Sequence, residues 1–188
     1  MSLVKLGQFQ SLLSSCILHI MGKVIETDID ERDKLHLREC SALAAESRRK
    51  GNHPFAAQLV DEDGTVLMSQ ENDFTVGGSA YHAETLLTLR AAKEYGPEKL
   101  AKCTLYTNFE PCVMCMGAIY WANIGRLVYG VSERDLLALT GDNEENPTFS
   151  LSCRDVVKAG QKDIRIAGPT DDEELKAELL KTHEGFWS

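Results

Sequence analysis

The chain has 188 residues, 43% of them hydrophobic and 26% charged, a length and balance that fit one globular domain and exclude a stapled mini-protein, a disordered tail and a membrane bundle. Lys and Arg number 20 against 29 Asp and Glu, a net charge of −9, and so acidic a surface argues against a phosphate backbone as partner. Six cysteines are too few for a disulfide framework.

Residues 1–26 read as an N-terminal extension. Its apolar stretch 12–18 is too short and too polar to span a bilayer, Met1-Ser2-Leu3 looks like an expression scar, and Met21 is a candidate start. Residues 28–49 carry Leu35, Leu37, Leu43 and Ala44 at roughly helical spacing among charges, with Gly51-Asn52 as a stop, which predicts an amphipathic helix. Residues 55–60 read as a strand, Asp61-Glu62-Asp63-Gly64 as a tight turn and 65–69 as the return strand. The stretch 70–80 has no periodicity and reads as a loop, after which helical spacing resumes over 85–95 until Gly96-Pro97 breaks it. A β-rich strand over 103–107, a helix over 112–122 preceded by Pro111, and a strand over 126–131 follow. Beyond them come a short helix at 136–139, a loop at 141–147, a last strand at 164–166 and an acidic-capped helix over 171–181 that ends in the aromatic tail Phe186-Trp187. This alternation predicts an α/β layered sheet whose later strands are joined by crossover helices.

Three residues suit a metal. His82, Cys112 and Cys115 offer one imidazole and two thiolates, a set that fits tetrahedral zinc and leaves a fourth position for water. C-x-x-C on the first turn of a helix puts both sulfurs on one face, where the helix N-terminus stabilises thiolates. Glu84, two residues beyond His82, lies beside such a metal without being needed as a ligand, and a carboxylate there can move a proton from water to a leaving group. Alone, C-x-x-C reads equally as a structural zinc half-site or a redox pair. Joined as His82-Ala83-Glu84 and Pro111-Cys112-Val113-Met114-Cys115, the two pieces form the H-x-E and P-C-x-x-C signature of zinc deaminases of nucleobases.

From Pro54-Phe55-Ala56 through Asn72, His82-Ala83-Glu84 and the run Leu105-Tyr106-Thr107-Asn108-Phe109-Glu110-Pro111-Cys112 to Val128-Tyr129-Gly130, the chain resembles the cytidine and deoxycytidylate deaminase superfamily. Within it, the branch of guanine deaminase, cytosine deaminase and tRNA adenosine deaminase looks nearest. The resemblance implies a three-layer α/β/α fold with a central five-stranded mixed sheet, in a single zinc-dependent deaminase domain over 27–188. It also implies one Zn2+ per subunit, hydrolytic loss of ammonia from a base, and a homodimer. By the same resemblance His82, Cys112 and Cys115 are the zinc ligands and Glu84 the proton shuttle. Asn72 hydrogen-bonds the base, the Ala83 amide and the carbonyl near Asn108 or Phe109 hold the ring edge, and Phe55 walls the pocket, although Phe55 and Phe109 read equally as core.

Gly117-Ala118-Ile119-Tyr120-Trp121-Ala122 looks like the guanine deaminase version of its helix. In that likeness an acid follows a glycine after the next strand, here Asp142 or Glu144, of which Glu144 falls at the expected distance; the same acidic run reads equally as a solvated loop. Trp187 resembles an aromatic tail that closes the pocket, and docking on the protein's own surface or on a partner subunit is the alternative. The expected substrate is a small nucleobase, a free purine such as guanine first, cytosine second and adenosine in tRNA third, with water as co-substrate. A binding module without turnover would have no use for Glu84. No leader or membrane segment is read, so a cytoplasmic location is expected.

Overall fold

A computed structural model describes residues 22–141 and 143–187; the readings of the first 21 residues and of Asp142 fall outside them. In chain order the described elements are β1 (Val24–Glu26), α1 (Glu31–Arg49), β2 (Ala56–Val60), β3 (Val66–Glu71), α2 (Phe74–Gly77), α3 (Ala83–Glu94), α4 (Pro97–Leu100), β4 (Thr104–Phe109), α5 (Val113–Ala122), β5 (Arg126–Val131), α6 (Glu133–Thr140), α7 (Cys153–Lys158), β6 (Ile164–Ala167) and α8 (Glu173–Lys181). The strands form one mixed sheet in the order β1-β6-β5-β4-β2-β3.

The tight turn makes β2 and β3 an antiparallel hairpin, and Gly64 adopts φ 92°, a left-handed conformation open to glycine at little cost. β2 also pairs antiparallel with β4, whereas β4 with β5 and β5 with β6 are parallel. Parallel neighbours need long crossovers, which α5 and the α6–α7 stretch provide. Alternate side chains of the central strands go to opposite faces. Leu105, Leu127 and Tyr129 join Leu87, Met116 and Val157 in one core, while Tyr106 and Val128 join Leu37, Leu136 and Leu179 in the other. The three layers are thus α3, α5 and α7, then the sheet, then α1, α6 and α8.

The sheet has six strands, one more than the resemblance implies. The additional strand is β1, whose three residues pair parallel with β6 and are too few to carry a readable period. Further differences are local, the short α4 and α7 that the periodicity does not mark among them. The loop 70–80 contains the short α2, and α6 spans eight residues where the periodicity suggests four, because the Ser132 hydroxyl accepts from Asp135 N and caps its start. α1 is anchored by a capping box in which Asp30 accepts from Asp33 N and Asp33 from Asp30 N.

Candidate zinc site

β4 points its C-terminal end at the site. Thr107, Asn108 and Phe109 are buried, and Pro111 then turns the chain so that Cys112 is the N-cap of α5 and Cys115 lies one turn inside it. From the other side the loop after α2 delivers His82 as the extended N-cap of α3, with Ala83 and Glu84 in its first turn. Two helix N-termini therefore converge, and the orphan amides of a first helical turn, Ala83 N–H among them, favour negative charge in front of them.

His82 Nδ1 is 3.6 Å from Cys112 Sγ and 3.4 Å from Cys115 Sγ, and the two sulfurs are 3.7 Å apart. A tetrahedral zinc with bonds of ~2.3 Å to sulfur and ~2.0 Å to nitrogen separates two sulfurs by about 3.8 Å and a sulfur from a nitrogen by about 3.5 Å. The donor set fits zinc in kind and in spacing. Thr85 Oγ1 donates to Cys115 Sγ at 3.3 Å and helps to orient it.

Glu84 is 4% exposed; Oε1 accepts from Thr107 Oγ1 at 2.8 Å and Oε2 stands 3.4 Å from Cys115 Sγ. Burial raises its carboxyl above the ordinary carboxylate range. Cys112 moves the other way, because its contacts with Cys115 and His82 hold the thiol well below the usual range despite burial. Burial alone would disfavour the charged His82 imidazole, but Cys112 and Glu84 outweigh it and the net shift is upward.

The space around these groups has two parts. An inner chamber of about 30 Å³ is lined by Glu84, His82, Cys112, Phe55, Glu133 and Asn146, and it admits a water-sized group. An outer chamber of about 280 Å³ shares His82, Cys112, Glu133 and Asn146 with it and continues past His53 and Glu145 to Phe149. His53 Nε2 and Glu145 Oε1 are 3.2 Å apart at its rim. Burial lowers the His53 pKa, and Glu145 partly offsets this.

The resemblance-based substrate contacts separate into two groups. Phe55 lines the inner chamber and also packs edge-on against Phe109, so it is both wall and core. Trp187 stacks edge-on over His53 at 5.0 Å, donates from Nε1 to His183 Nδ1, and its carbonyl accepts from Asn143 Nδ2 at 2.9 Å, which ties the tail to the loop beside the site. The Asn108 side chain is fully buried, accepts from Ala56 N and donates to Pro54 O, so it fastens β4 to the start of β2 and leaves only the backbone carbonyl of this segment for the ring edge. The Asn72 side chain accepts from Phe74 N and lines neither chamber. Glu144 is exposed and also lines neither; an Asx turn from Asn143 Oδ1 to Glu145 N brings Glu145 to the rim instead.

Sequence reasoning missed Glu133, Glu110 and His53. Glu133 carried a signal, since it follows a strand end and an N-cap serine as the first helical residue. Glu110, inside the P-C-x-x-C approach, accepts from Ser152 Oγ, Cys153 N and Glu133 N and so joins the starts of α6 and α7 to the site. His53, a lone histidine after Gly51-Asn52, offered no signal.

Residues 30–131 match the cytidine and deoxycytidylate deaminase zinc-binding region. The chain belongs to this deaminase family. Its homologues are zinc-dependent hydrolytic deaminases, and the chain is a zinc-type nucleobase deaminase by that membership and by its His/Cys/Cys group. Among its relatives, a probable cytosine deaminase of Schizosaccharomyces pombe is 37% identical over 161 residues, covering 86% of this chain and 96% of the relative. A guanine deaminase of Bacillus subtilis is 36% identical over 100 residues, 53% of this chain and 64% of that protein. Among solved structures, a mutant of the protein NE0047 in complex with 8-azaguanine superposes with a TM-score of 0.63 at 26% identity, over 81% of this chain and 85% of the other.

Proposed function

We propose that the protein hydrolyses the exocyclic amino group of a free nucleobase, guanine first, replacing the C–NH2 bond by a carbonyl and releasing ammonia. His82, Cys112 and Cys115 hold the zinc, which when bound lowers the pKa of a coordinated water toward ~7. Glu84, hydrogen-bonded to Thr107 and adjacent to Cys115, takes a proton from the attacking water and returns it to the departing amino nitrogen. Burial suits it to the second task, because a carboxyl whose pKa is raised holds the proton until the leaving group needs it. The Ala83 amide, at the start of α3, is placed to hold the ring edge.

The observation that carries the choice of a bicyclic base is the outer chamber. It shares His82, Cys112 and Glu133 with the inner chamber, and its about 280 Å³, with polar groups at His53, Glu145 and Asn146, give room and partners for a whole bicyclic base that the inner chamber is too small to hold. The match to a protein holding 8-azaguanine supports the same reading. Cytosine is the second reading, favoured by the relative from Schizosaccharomyces pombe that spans most of the chain. A tRNA substrate ranks third: the net charge of −9 repels phosphates and the tail packs over the approach to the site. The homodimer remains part of the reading, supported by Trp121, which is 80% exposed on α5.

The test is ammonia release from guanine, cytosine, adenine, their nucleosides and a tRNA anticodon stem, with Glu84→Gln as blank. Guanine turnover by the wild type and a loss of ~10²–10⁴-fold in Glu84→Gln with zinc retained are expected. Undiminished activity in that variant overturns the role of Glu84, and turnover of the RNA alone overturns the free base.

A further inference from the structure

Four carboxyls surround the two chambers, and three are occupied. Glu84 accepts from Thr107, Glu110 from Ser152 and two amides, and Glu145 pairs with His53. Glu133 differs. It is 7% exposed and lines both chambers, yet no described residue gives its carboxyl a hydrogen bond or a cation; its backbone N–H donates to Glu110 Oε2. Its carboxyl oxygens are not among the solvent-shielded unpaired atoms and so open into the chambers, where a ligand supplies the partners that the protein does not.

We propose that Glu133 is a specificity-determining residue of this site, its carboxyl accepting from an N–H group on the edge of the base, the lactam or amidine edge of a purine or pyrimidine. This rests on the nucleobase reading above. Its position supports the assignment: Ser132 caps α6 and Glu110 holds the Glu133 amide, so the backbone is anchored where the residue lines both chambers beside Glu84. Its chemistry suits that edge. The carboxyl oxygens face the chambers and accept from the N–H groups that a lactam or amidine edge carries, whereas an edge of acceptors alone offers them no donor.

The test compares wild type, Glu133→Ala and Glu133→Gln for zinc content, for KM and kcat on the base that the wild type turns over fastest, and for 8-azaguanine Kd by calorimetry, a readout free of turnover. Glu133→Ala should raise KM and Kd about tenfold, the equivalent of ~1.4 kcal/mol, with zinc unchanged. Glu133→Gln, which keeps one donor and one acceptor, should recover most of the loss. A Kd change below threefold in Glu133→Ala, a Gln variant as weak as Ala, or loss of zinc in step with loss of binding overturns the proposal. If Glu133→Ala does not fold, Glu133→Asp, which withdraws the carboxyl by one methylene, must raise Kd at least threefold. A wild type that deaminates a base while Glu133→Ala binds normally removes Glu133 alone; a wild type that neither binds nor deaminates any base removes the nucleobase reading and this proposal with it.

Discussion

Arg126 begins β5 and Glu133 stands two residues past its last, Val131, and the buried acids at these two ends of one strand meet opposite environments. At the first end Asp33, 1% exposed, accepts 2.7 Å bonds from Arg126 Nη1 and Nη2 and from Tyr106 Oη. Burial works against its ionisation, but these donors outweigh it and hold the carboxyl below the ordinary range. At the other end Glu84 and Glu133 have few donors and several acidic neighbours, and both are raised. The same physics thus serves two purposes: full pairing makes a charge part of the scaffold, and incomplete pairing leaves a proton available for chemistry.

The largest effect that separates the two ends is metal loss. Cys112→Ala should lose its zinc, read by metal analysis, because two remaining donors do not make a closed site; Cys40→Ala, which removes a buried thiol that donates to Tyr106 O away from the site, should keep it. Full zinc in Cys112→Ala would sink the ligand assignment. Next is Asp33→Ala, which strands Arg126 and should cost about 3–5 kcal/mol in denaturant unfolding with zinc still bound. A cost near zero would mean that solvent reaches the pair and that the contrast between the ends is false.

The effect on the tail is the smallest at any one pH step. Burial, with Arg48 and His53 adding to it, lowers His183 to about 3, against ~6.5 in an unfolded chain. A depressed histidine pKa means that the unfolded chain binds more protons between these values. Its contribution is fully present above ~6.5 and declines as pH falls toward the folded value, by up to ~1.4 kcal/mol per pH unit. Stability of wild type should therefore fall through this window before Asp33, depressed from a lower starting pKa, begins to titrate. Trp187 emission should report the loss, and His183→Phe should flatten it. An unchanged slope in that variant would place the acid sensitivity elsewhere.

Local chemistry made much of the fold legible. The turn at Gly64, the caps and the apolar spacing mark α1, β2, β3, β4, α5 and β5 because each signal is contained within a few neighbouring residues. β1 and α7 were not legible: β1 exists only through its pairing with β6, and α7 starts where Ser152 caps it and Glu110, forty-odd residues earlier, accepts from its first amide. The site divides similarly. His82, Glu84, Cys112 and Cys115 lie in two short motifs whose spacing is itself the geometry. Glu144 did not fall where the resemblance would put it, since the turn at Asn143 presents Glu145 in its place.

By itself the sequence determined the chemistry: one imidazole, two thiolates and one carboxyl at spacings that a helix start converts directly into proximity. Which acids, rings and amides surround that group was decided by the sheet. It brings Glu110, Glu133, His53 and the Trp187 tail together from distant parts of the chain, and whether each is paired or free depends on neighbours that no local window contains.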